Sequence, residues 1–273
     1  MAQPDSCRII VDEEPKLGSW NMAVDELLLE TALDGGSPTL RVYRWSEPSV
    51  SLGYFQDGGF IEPDSMLADL PVVRRLSGGG AILHHHEWTY ACGVPSHHPV
   101  AASPSSLYKR VHARVVILLD RHGLNCRLRG KQDTVRDEPF LCFGRQDPCD
   151  LVVGEHKILG SAQRRRRGAL LQHGSLLTRR SPFAPEFPGI ADLAPLPACG
   201  AEFATELADE IGRLLGSKLV RSALSQPEQR RARTLQQQRY RSIDRGKHGT
   251  IVGSQRRRRT APSLKFAPLR DDD

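Results

Sequence analysis

A cysteine and a lysine fifteen residues apart are the groups in this chain best suited to covalent chemistry. Cys142 and Lys157 lie in the stretch CFGRQDPCDLVVGEHKILGSAQRR, where the small residues Gly160, Ser161 and Ala162 follow the lysine. A thiolate is a strong nucleophile, and a nearby cation favours the thiolate over the thiol. A lysine beside a small-residue turn can also polarise an acyl carbonyl. The pair therefore predicts acyl transfer through a thioester.

Both residues also have an ordinary structural explanation. A lysine at a hairpin usually lies at the surface, and a cysteine between Leu141 and Phe143 is more often a buried structural thiol. The chain has no CxxC pair, which argues against a disulfide framework and against a zinc ribbon. A redox pair of Cys142 with Cys149 is the lesser alternative. The six cysteines are Cys7, Cys92, Cys126, Cys142, Cys149 and Cys199.

Three consecutive glycines lie upstream, in RRLSGGGAILHHHEWTY. Gly78, Gly79 and Gly80 follow a predicted strand, and glycine adopts backbone dihedrals closed to other residues and lets a ligand touch the main chain. The run matches neither the dinucleotide-binding fingerprint nor the phosphate-binding loop that ends in Gly-Lys-Ser/Thr. A glycine-rich turn explains the run when it is taken alone. Its basic and imidazole neighbours favour a place in the same pocket as the cysteine and the lysine.

Arginines and histidines flank the glycines. Arg74 and Arg75 alternate on the predicted strand, which directs one toward a pocket and the other toward solvent. An inward arginine can bind a carboxylate, a phosphate or a carbonyl oxygen, and a solvated edge arginine is the alternative. If residues 84–86 are a strand, the outer two histidines share a face, but no third ligand with metal-site spacing follows. The pattern favours a polar cluster over a metal site, with His84 its most relevant member.

The net charge of +6 is concentrated in the C-terminal part of the chain. Residues 221–273 contain 14 Lys and Arg against 5 Asp and Glu, so residues 1–220 contain 24 against 27. This distribution argues against a nucleic-acid-binding body. It indicates a polar helix followed by a flexible basic tail over residues 251–273, with an electrostatic tether for an acidic partner as the alternative.

Apolar periodicity predicts long helices that alternate with short strands. The helices are expected from Ser19 as N-cap to Gly35, over residues 105–123 and over residues 201–215. The runs LRVYRW, VSLGYFQ and LPVVRRL are expected in one sheet, and the runs at 151–153, 157–159 and 169–177 in a meander. Five prolines in residues 181–197 predict an irregular surface connection. The alternation favours a mixed α/β fold, with a single domain over residues 1–250.

The hydrophobic content of 39% in 273 residues is enough for a substantial core. No stretch approaches the apolar length that spans a bilayer. The first residues, MAQPDSCRIIVDEE, lack the charged start and apolar block of a secretory signal. We therefore expect a cytoplasmic enzyme without a membrane partner.

Five ordered motifs resemble the lipoate-protein ligase and octanoyltransferase superfamily, which shares its catalytic fold with biotin protein ligases. The motifs NMAVDELLLE, VSLGYFQ, RRLSGGGAILH, HKILGSAQRR and LLQHGSLL fall within residues 19–177. The resemblance implies an α/β (α+β) fold with a central mixed β-sheet flanked by α-helices, the biotin/lipoate protein ligase catalytic-domain fold. It also implies a tunnel for a medium-length acyl chain.

The resemblance assigns roles residue by residue. Cys142 and Lys157 are the expected catalytic residues. The glycine run is the expected tunnel wall, with Arg75 and His84 as polar groups at its mouth, and no metal ligand is implied. Acyl or substrate binding is expected of Arg75, Ser77, Gly78, Gly79, Gly80, His84, Gly160, Ser161, Ala162 and His173.

Two chemistries are known on this fold. Transferases take an octanoyl group from acyl carrier protein onto a cysteine. They pass it, without a cofactor, to a lysine of a lipoyl domain of the 2-oxoacid dehydrogenases or of the glycine-cleavage H protein. Ligases activate free lipoic acid as an adenylate with ATP and Mg²⁺. The phrase CFGRQDPCDLVV, with Glu87, Thr89 and Tyr90, resembles the cysteine-dependent octanoyltransferases of the LipM type and places the nucleophile at Cys142.

Three positions depart from that transferase pattern. Gly80 stands where many of these transferases carry arginine, which is a ligase-like feature; His85 replaces a usual aspartate, and Cys149 a usual tyrosine. An ATP-dependent lipoate-protein ligase is therefore the alternative. A third hypothesis is a non-catalytic module that binds acyl carrier protein or nucleic acid through the basic tail. Salt-sensitive binding without turnover would identify it.

Overall fold

The structure, a computed structural model, describes residues 6–56, 61–62, 65–130, 139–195 and 199–241. The basic tail expected over residues 251–273 lies outside the described residues. The strands are β1 (Ser6–Val11), β2 (Thr39–Tyr43), β3 (Ser49–Leu52), β4 (Val72–Arg74), β5 (Ile82–His84), β6 (Glu87–Val94), β7 (Arg127–Leu128), β8 (Leu151–Val153), β9 (His156–Arg166), β10 (Ala169–Leu177) and β11 (Lys218–Arg221). The helices are α1 (Gly18–Leu33), α2 (Pro104–Arg121), α3 (Ile190–Leu193), α4 (Ala201–Gly212) and α5 (Gln226–Arg239).

In this described part of the chain, the strands form a mixed sheet of eight strands and a smaller sheet of three. The large sheet has the order β11-β1-β2-β6-β10-β9-β8-β7, and the small one has the order β4-β3-β5. The neighbours of β1 in the large sheet are parallel to it, and the other neighbouring strands are antiparallel. The expected mixed sheet with flanking helices is confirmed, as is the meander of β8, β9 and β10.

The expectation that LRVYRW, VSLGYFQ and LPVVRRL share one sheet is wrong. The first run forms β2 of the large sheet, where β1 and β6 occupy both of its edges. The other two runs form β3 and β4, which pair with each other in the small sheet. Because β1 and β6 occupy both edges of β2, the strands β3 and β4 do not pair with it.

Helices cover both faces of the large sheet. One apolar cluster joins α2 and α4 to the sheet, with Leu107, Val111, Leu207 and Ile211 buried in it. A second cluster joins α1 to the opposite face. The central strands β6 and β10 are buried at every position because both of their faces are covered. No helix among the described residues has the length and apolar character needed to cross a membrane.

Helix α1 lies between the sheet and α5. It spans most of the expected range, but Leu17 precedes it, and Ser19 lies in its first turn without capping it. The Ser19 hydroxyl instead accepts a hydrogen bond of 2.9 Å from the Gln236 side chain. The expectation of a Ser19 N-cap is therefore wrong, because the helix begins one residue earlier, at Gly18.

The polar helix expected near the C-terminus is α5, and it packs against α1. Arg231 forms an ion pair of 2.6 Å with Glu30, and Arg239 forms one with Glu26. The Tyr240 hydroxyl donates to the same Glu26 carboxylate over 2.7 Å. These contacts bury the outer side of α1, which explains why its apolar and polar positions are buried alike.

Lowering the pH should destabilise the fold through His112 of α2. Its ring lies between the Cys149 carbonyl and the Ser161 hydroxyl, and burial lowers the pKa of His112 to about 4 from an ordinary value of 6.5. Between pH 6.5 and about pH 4 the unfolded chain therefore binds a proton that the folded protein does not. The stability contributed by this neutral ring is complete above pH 6.5 and is lost as the pH falls toward 4, by about 2 kcal/mol between pH 7 and pH 5.

Urea unfolding of the wild type and of His112→Gln at pH 7 and pH 5 measures this effect. The variant should lose less unfolding free energy than the wild type between the two pH values. An equal loss in both proteins would show that His112 is not the titrating group.

Candidate active site

A pocket, called the reaction pocket below, lies where the large sheet meets the small sheet. Helix α1 contributes Met22 to its wall, β2 contributes Tyr43, and β6 contributes Thr89. Of the twelve residues expected in the site, ten line it: Arg75, Gly78, Gly79, His84, Cys142, Lys157, Gly160, Ser161, Ala162 and His173. The fold therefore brings together motifs that are widely separated in the sequence.

The loop that carries Cys142 is tied to the end of the glycine run. The Cys142 amide donates to the Ala81 carbonyl over 2.6 Å, and the Ala81 amide donates to the Phe140 carbonyl over 3.1 Å. Cys142 begins a short 3₁₀ turn, Cys142–Gly144, and its side chain is partly exposed. Main-chain hydrogen bonds thus place Cys142 next to the end of the glycine run.

Lys157 donates hydrogen bonds to the loop that carries Cys142. Its ammonium lies 3.0 Å from the Asp150 carboxylate and donates to the carbonyls of Cys142 at 3.2 Å and Arg145 at 3.5 Å. Lys157 and Asp150 are both buried. Burial raises the pKa of Asp150, and the Lys157 charge opposes that rise. The lysine is therefore an oriented donor at the base of the nucleophile loop.

Asp150 is a site residue that the sequence analysis missed. The signal was a single acidic residue directly before the apolar strand β8, in CDLVV. Gly160 completes this corner, because a Cβ there would lie 2.6 Å from Lys157 Cε. The glycine makes room for the lysine chain to reach the Cys142 loop.

Arg75 is the inward member of the arginine pair and is only 1% exposed. Its guanidinium donates to the carbonyls of Ser51 at 2.9 Å, Gly78 at 2.7 Å and Gly80 at 2.6 Å. Among the described residues no carboxylate pairs with it, and its Nε has no partner. Burial lowers the pKa of Arg75 to about 10, while the charge of a Cys142 thiolate would act in the opposite direction. Arg75 is thus an unpaired buried cation at neutral pH, not a group at an open mouth.

His84 also lies inside the pocket wall. The ring stacks on Trp45 with centroids 3.7 Å apart, its Nε2 lies 2.7 Å from the Ser51 hydroxyl, and its Nδ1 lies 2.9 Å from the Glu87 carboxylate. Burial lowers the pKa of His84, so the ring is neutral at neutral pH. Because both ring nitrogens have partners inside the protein, His84 shapes the wall and does not reach solvent.

The other two histidines do not share a strand face with His84. Strand β5 ends at His84, and the stacked rings of His85 and His86 lie in the bend before β6. Within the described segments, no three His, Cys, Asp or Glu side chains are grouped to hold a metal ion.

Ser77 lies just behind the reaction pocket in a chain of hydrogen bonds. Its hydroxyl bonds to His173 Nε2, and His173 Nδ1 lies 3.0 Å from the Asp25 carboxylate. The Tyr43 hydroxyl donates to the same carboxylate over 3.0 Å. Asp25 of α1 was missed because its partners come from distant strands. The chain fixes the orientation of His173, the member that lines the pocket.

The glycine run packs closely against neighbouring backbone and arginine side chains. Gly79 has a φ of 91°, in the left-handed region, and a Cβ on Gly53 would lie 2.0 Å from the Gly79 carbonyl oxygen. Gly80 does not line the pocket, because the Arg145 guanidinium lies over it. A Cβ on Gly80 would lie 2.6 Å from Arg145 Nε. The glycines thus serve the close packing of Arg75 and Arg145 as well as the pocket wall.

A family model for the lipoyl protein ligase A/B catalytic domain matches residues 18–183. The chain belongs to this family. The match spans the elements from α1 to β10 that build the reaction pocket, and it confirms the superfamily expected from the five motifs.

Curated relatives of this family member are named octanoyltransferase LipM. The one from Carboxydothermus hydrogenoformans is 36% identical over 169 residues, 59% of this chain and 61% of the relative. The one from Oceanobacillus iheyensis is 32% identical over 229 residues, 79% of this chain and 82% of the relative. The chain thus spans less than two thirds of the first relative and most of the second. These names favour the expected transferase over the ligase alternative.

A solved structure shows the same fold. The bi-partite lipoate protein ligase from Thermoplasma acidophilum, described with its E2 lipoyl domain, superimposes with a TM-score of 0.61 at 20% identity. The match covers 87% of this chain and 93% of that chain. The expected lipoate ligase catalytic fold is confirmed.

Replacing Gly79 should cost more stability than replacing its neighbour. Alanine at position 79 would hold a φ of 91° that side chains disfavour, and its Cβ would lie 3.1 Å from Arg75 Nη2. Gly79→Ala should lose roughly 1–3 kcal/mol of unfolding free energy. In Gly78→Ala the new Cβ meets only Phe55 at 3.7 Å, an ordinary contact, so the loss should stay below about 1 kcal/mol. Urea denaturation compares the two variants, and equal losses would contradict this account.

Proposed function

We propose that this protein is an octanoyltransferase of lipoate biosynthesis that works through a thioester on Cys142. The proposal rests on the position of Cys142. Cys142 is the one cysteine among the described residues that line the reaction pocket, and it shares that pocket with the buried Arg75 cation and with Lys157. A thiol beside cations is the arrangement that favours a thiolate nucleophile.

In the first step the Cys142 thiolate attacks the carbonyl carbon of an octanoyl thioester on acyl carrier protein. A new sulfur–carbon bond forms, and the tetrahedral oxyanion collapses as the carrier thiolate leaves and takes up a proton. The octanoyl group then remains on Cys142. A well-placed donor to such an oxyanion is worth roughly 3 kcal/mol of barrier.

In the second step a neutral lysine side chain of the acceptor attacks the Cys142 thioester. A carbon–nitrogen bond forms, Cys142 leaves as the thiolate, and the amine releases one proton to solvent. The acceptors we propose are the lipoyl domains of 2-oxoacid dehydrogenases and the glycine-cleavage H protein. Lipoyl domains are also the partner named with the archaeal ligase that shares this fold.

The two cations have different roles in this proposal. Asp150 balances the charge of Lys157, so the lysine mainly orients the Cys142 loop and offers one hydrogen-bond donor. No described carboxylate balances Arg75, so Arg75 supplies the net positive potential for the thiolate and the oxyanion. Gly78, Gly79 and Ala162 line the space for the acyl chain.

The transfer needs no cofactor, because forming an amide from a thioester is downhill. The ligase alternative requires ATP and Mg²⁺ and makes Cys142 a bystander. The two chemistries therefore predict opposite outcomes for a labelling experiment without nucleotide.

Incubation with octanoyl-acyl carrier protein without ATP should give a hydroxylamine-labile octanoyl adduct on Cys142. Intact mass and peptide mapping locate the adduct, and adding a lipoyl domain should chase it onto a lysine. Cys142→Ser should abolish the labile adduct, whereas Cys149→Ser, a matched change in the same loop, should keep it. ATP-dependent labelling from free lipoate that persists in Cys142→Ala would instead identify a ligase.

Arg75→Gln should slow the acylation of Cys142 by about tenfold or more, the effect of losing about 1.4 kcal/mol of charge stabilisation. Iodoacetamide should alkylate Cys142 more slowly in this variant for the same reason. Arg74→Gln is the control for the alkylation measurement, because Arg74 binds the Gly53 and Gln56 carbonyls and does not line the reaction pocket. Thermal melting reports whether each variant is folded. Wild-type alkylation rates in folded Arg75→Gln would remove Arg75 from the mechanism.

A further inference from the structure

A second cleft, called the arginine cleft below, lies next to the reaction pocket and has a volume of about 460 Å³. Its walls include Arg74, Arg164, Arg166 and Arg239, and Arg75 lines both the cleft and the reaction pocket. The two acidic residues in its wall already have basic partners. Glu26 binds Arg239, and Glu30 binds Arg231 of α5.

Strand β9 carries both sites on one face. Ala162, Arg164 and Arg166 lie opposite His173, Leu171 and Ala169 of β10 in the antiparallel pairing. Directly opposed residues share a face of the sheet. Ala162 and His173 line the reaction pocket, so Arg164 and Arg166 continue the same face outward. The strand rise puts Arg166 about 13 Å from Ala162.

The cleft arginines of β9 are available to a partner. Neither Arg164 nor Arg166 forms an ion pair with another described residue, and Arg166 is exposed. The Arg164 guanidinium lies 4.4 Å from the ring centroid of Tyr54.

An exposed aromatic pair connects the two sites at the surface. Tyr54 is 43% exposed and Phe55 is 74% exposed. Phe55 Cδ2 lies 3.7 Å from the place that a Cβ on Gly78 would take, so it sits beside the wall of the reaction pocket. Exposed aromatic rings next to arginines are typical of protein interfaces.

We propose that the arginine cleft docks the acyl-donor carrier protein, with Arg164 and Arg166 binding its acidic surface and the phosphate of its prosthetic arm. This inference rests on the proposed function, since the occupant must present a thioester to Cys142. An acidic carrier with a phosphate-containing arm meets that need and the charge of the cleft together. The acceptor brings a cationic lysine, which a cluster of arginines repels.

The first half-reaction tests the proposal with two octanoyl donors. Arg166→Glu should reduce kcat/KM for Cys142 acylation by octanoyl-acyl carrier protein at least tenfold, through KM. It should leave acylation by octanoyl-pantetheine, which has neither protein nor phosphate, unchanged. Arg165→Glu is the matched control, because it makes the same charge change on the opposite face of β9 and should stay within twofold of wild type. Arg164→Glu should behave like Arg166→Glu.

The outcomes separate the two proposals. If the wild type forms no Cys142 adduct from either donor, the proposed function fails. If the adducts form but Arg166→Glu and Arg165→Glu affect the carrier-protein donor equally, the docking site fails. A defect of Arg166→Glu confined to the chase from octanoylated enzyme onto a lipoyl domain would assign the cleft to the acceptor and overturn the proposal. Loss of duplex DNA binding in Arg166→Glu, with unchanged carrier kinetics, would overturn it as well.

Discussion

The buried guanidinium of Arg75 is the constraint on which the site depends. Taking a cation out of water costs several kcal/mol unless other groups compensate it. Here the carbonyls of Ser51, Gly78 and Gly80 provide that compensation. They come from the small sheet and from the glycine run, so satisfying one charge fixes the backbone that forms the pocket wall. Because these acceptors are neutral, the net charge remains for a thiolate or an oxyanion to use.

The contrast between the two pocket cations explains why the site contains both. Lys157 forms a buried ion pair with Asp150, which cancels much of its field and leaves its directional hydrogen bonds. Those bonds reach the main chain of the Cys142 loop and hold the nucleophile in place. Arg75 differs, because its hydrogen-bond acceptors are neutral carbonyls and no described carboxylate cancels its charge. Lys157 therefore positions the Cys142 loop, and Arg75 supplies the positive electrostatic potential.

Local patterns in the sequence predicted the features that depend on residues close together along the chain. Helical periodicity located α1, α2 and α4, and the short motifs located ten of the twelve expected residues in one pocket. Features set by distant partners were missed. Asp25 and Asp150 became site residues only through contacts across the fold. The Ser19 hydroxyl bonds to Gln236 of a distant helix, and strand order decided the division into two sheets. None of these depends on spacing along the chain.

The strand β9 carries pocket residues and surface arginines on the same alternating face. Because side chains alternate with a period of two, inserting or deleting one residue between Ala162 and Arg164 would turn both arginines to the opposite face of the sheet while the pocket residues stayed in place. Only changes of two residues would preserve the alignment. A change in length between the pocket residues and the arginines therefore has to be even for the two sites to stay on one face of β9.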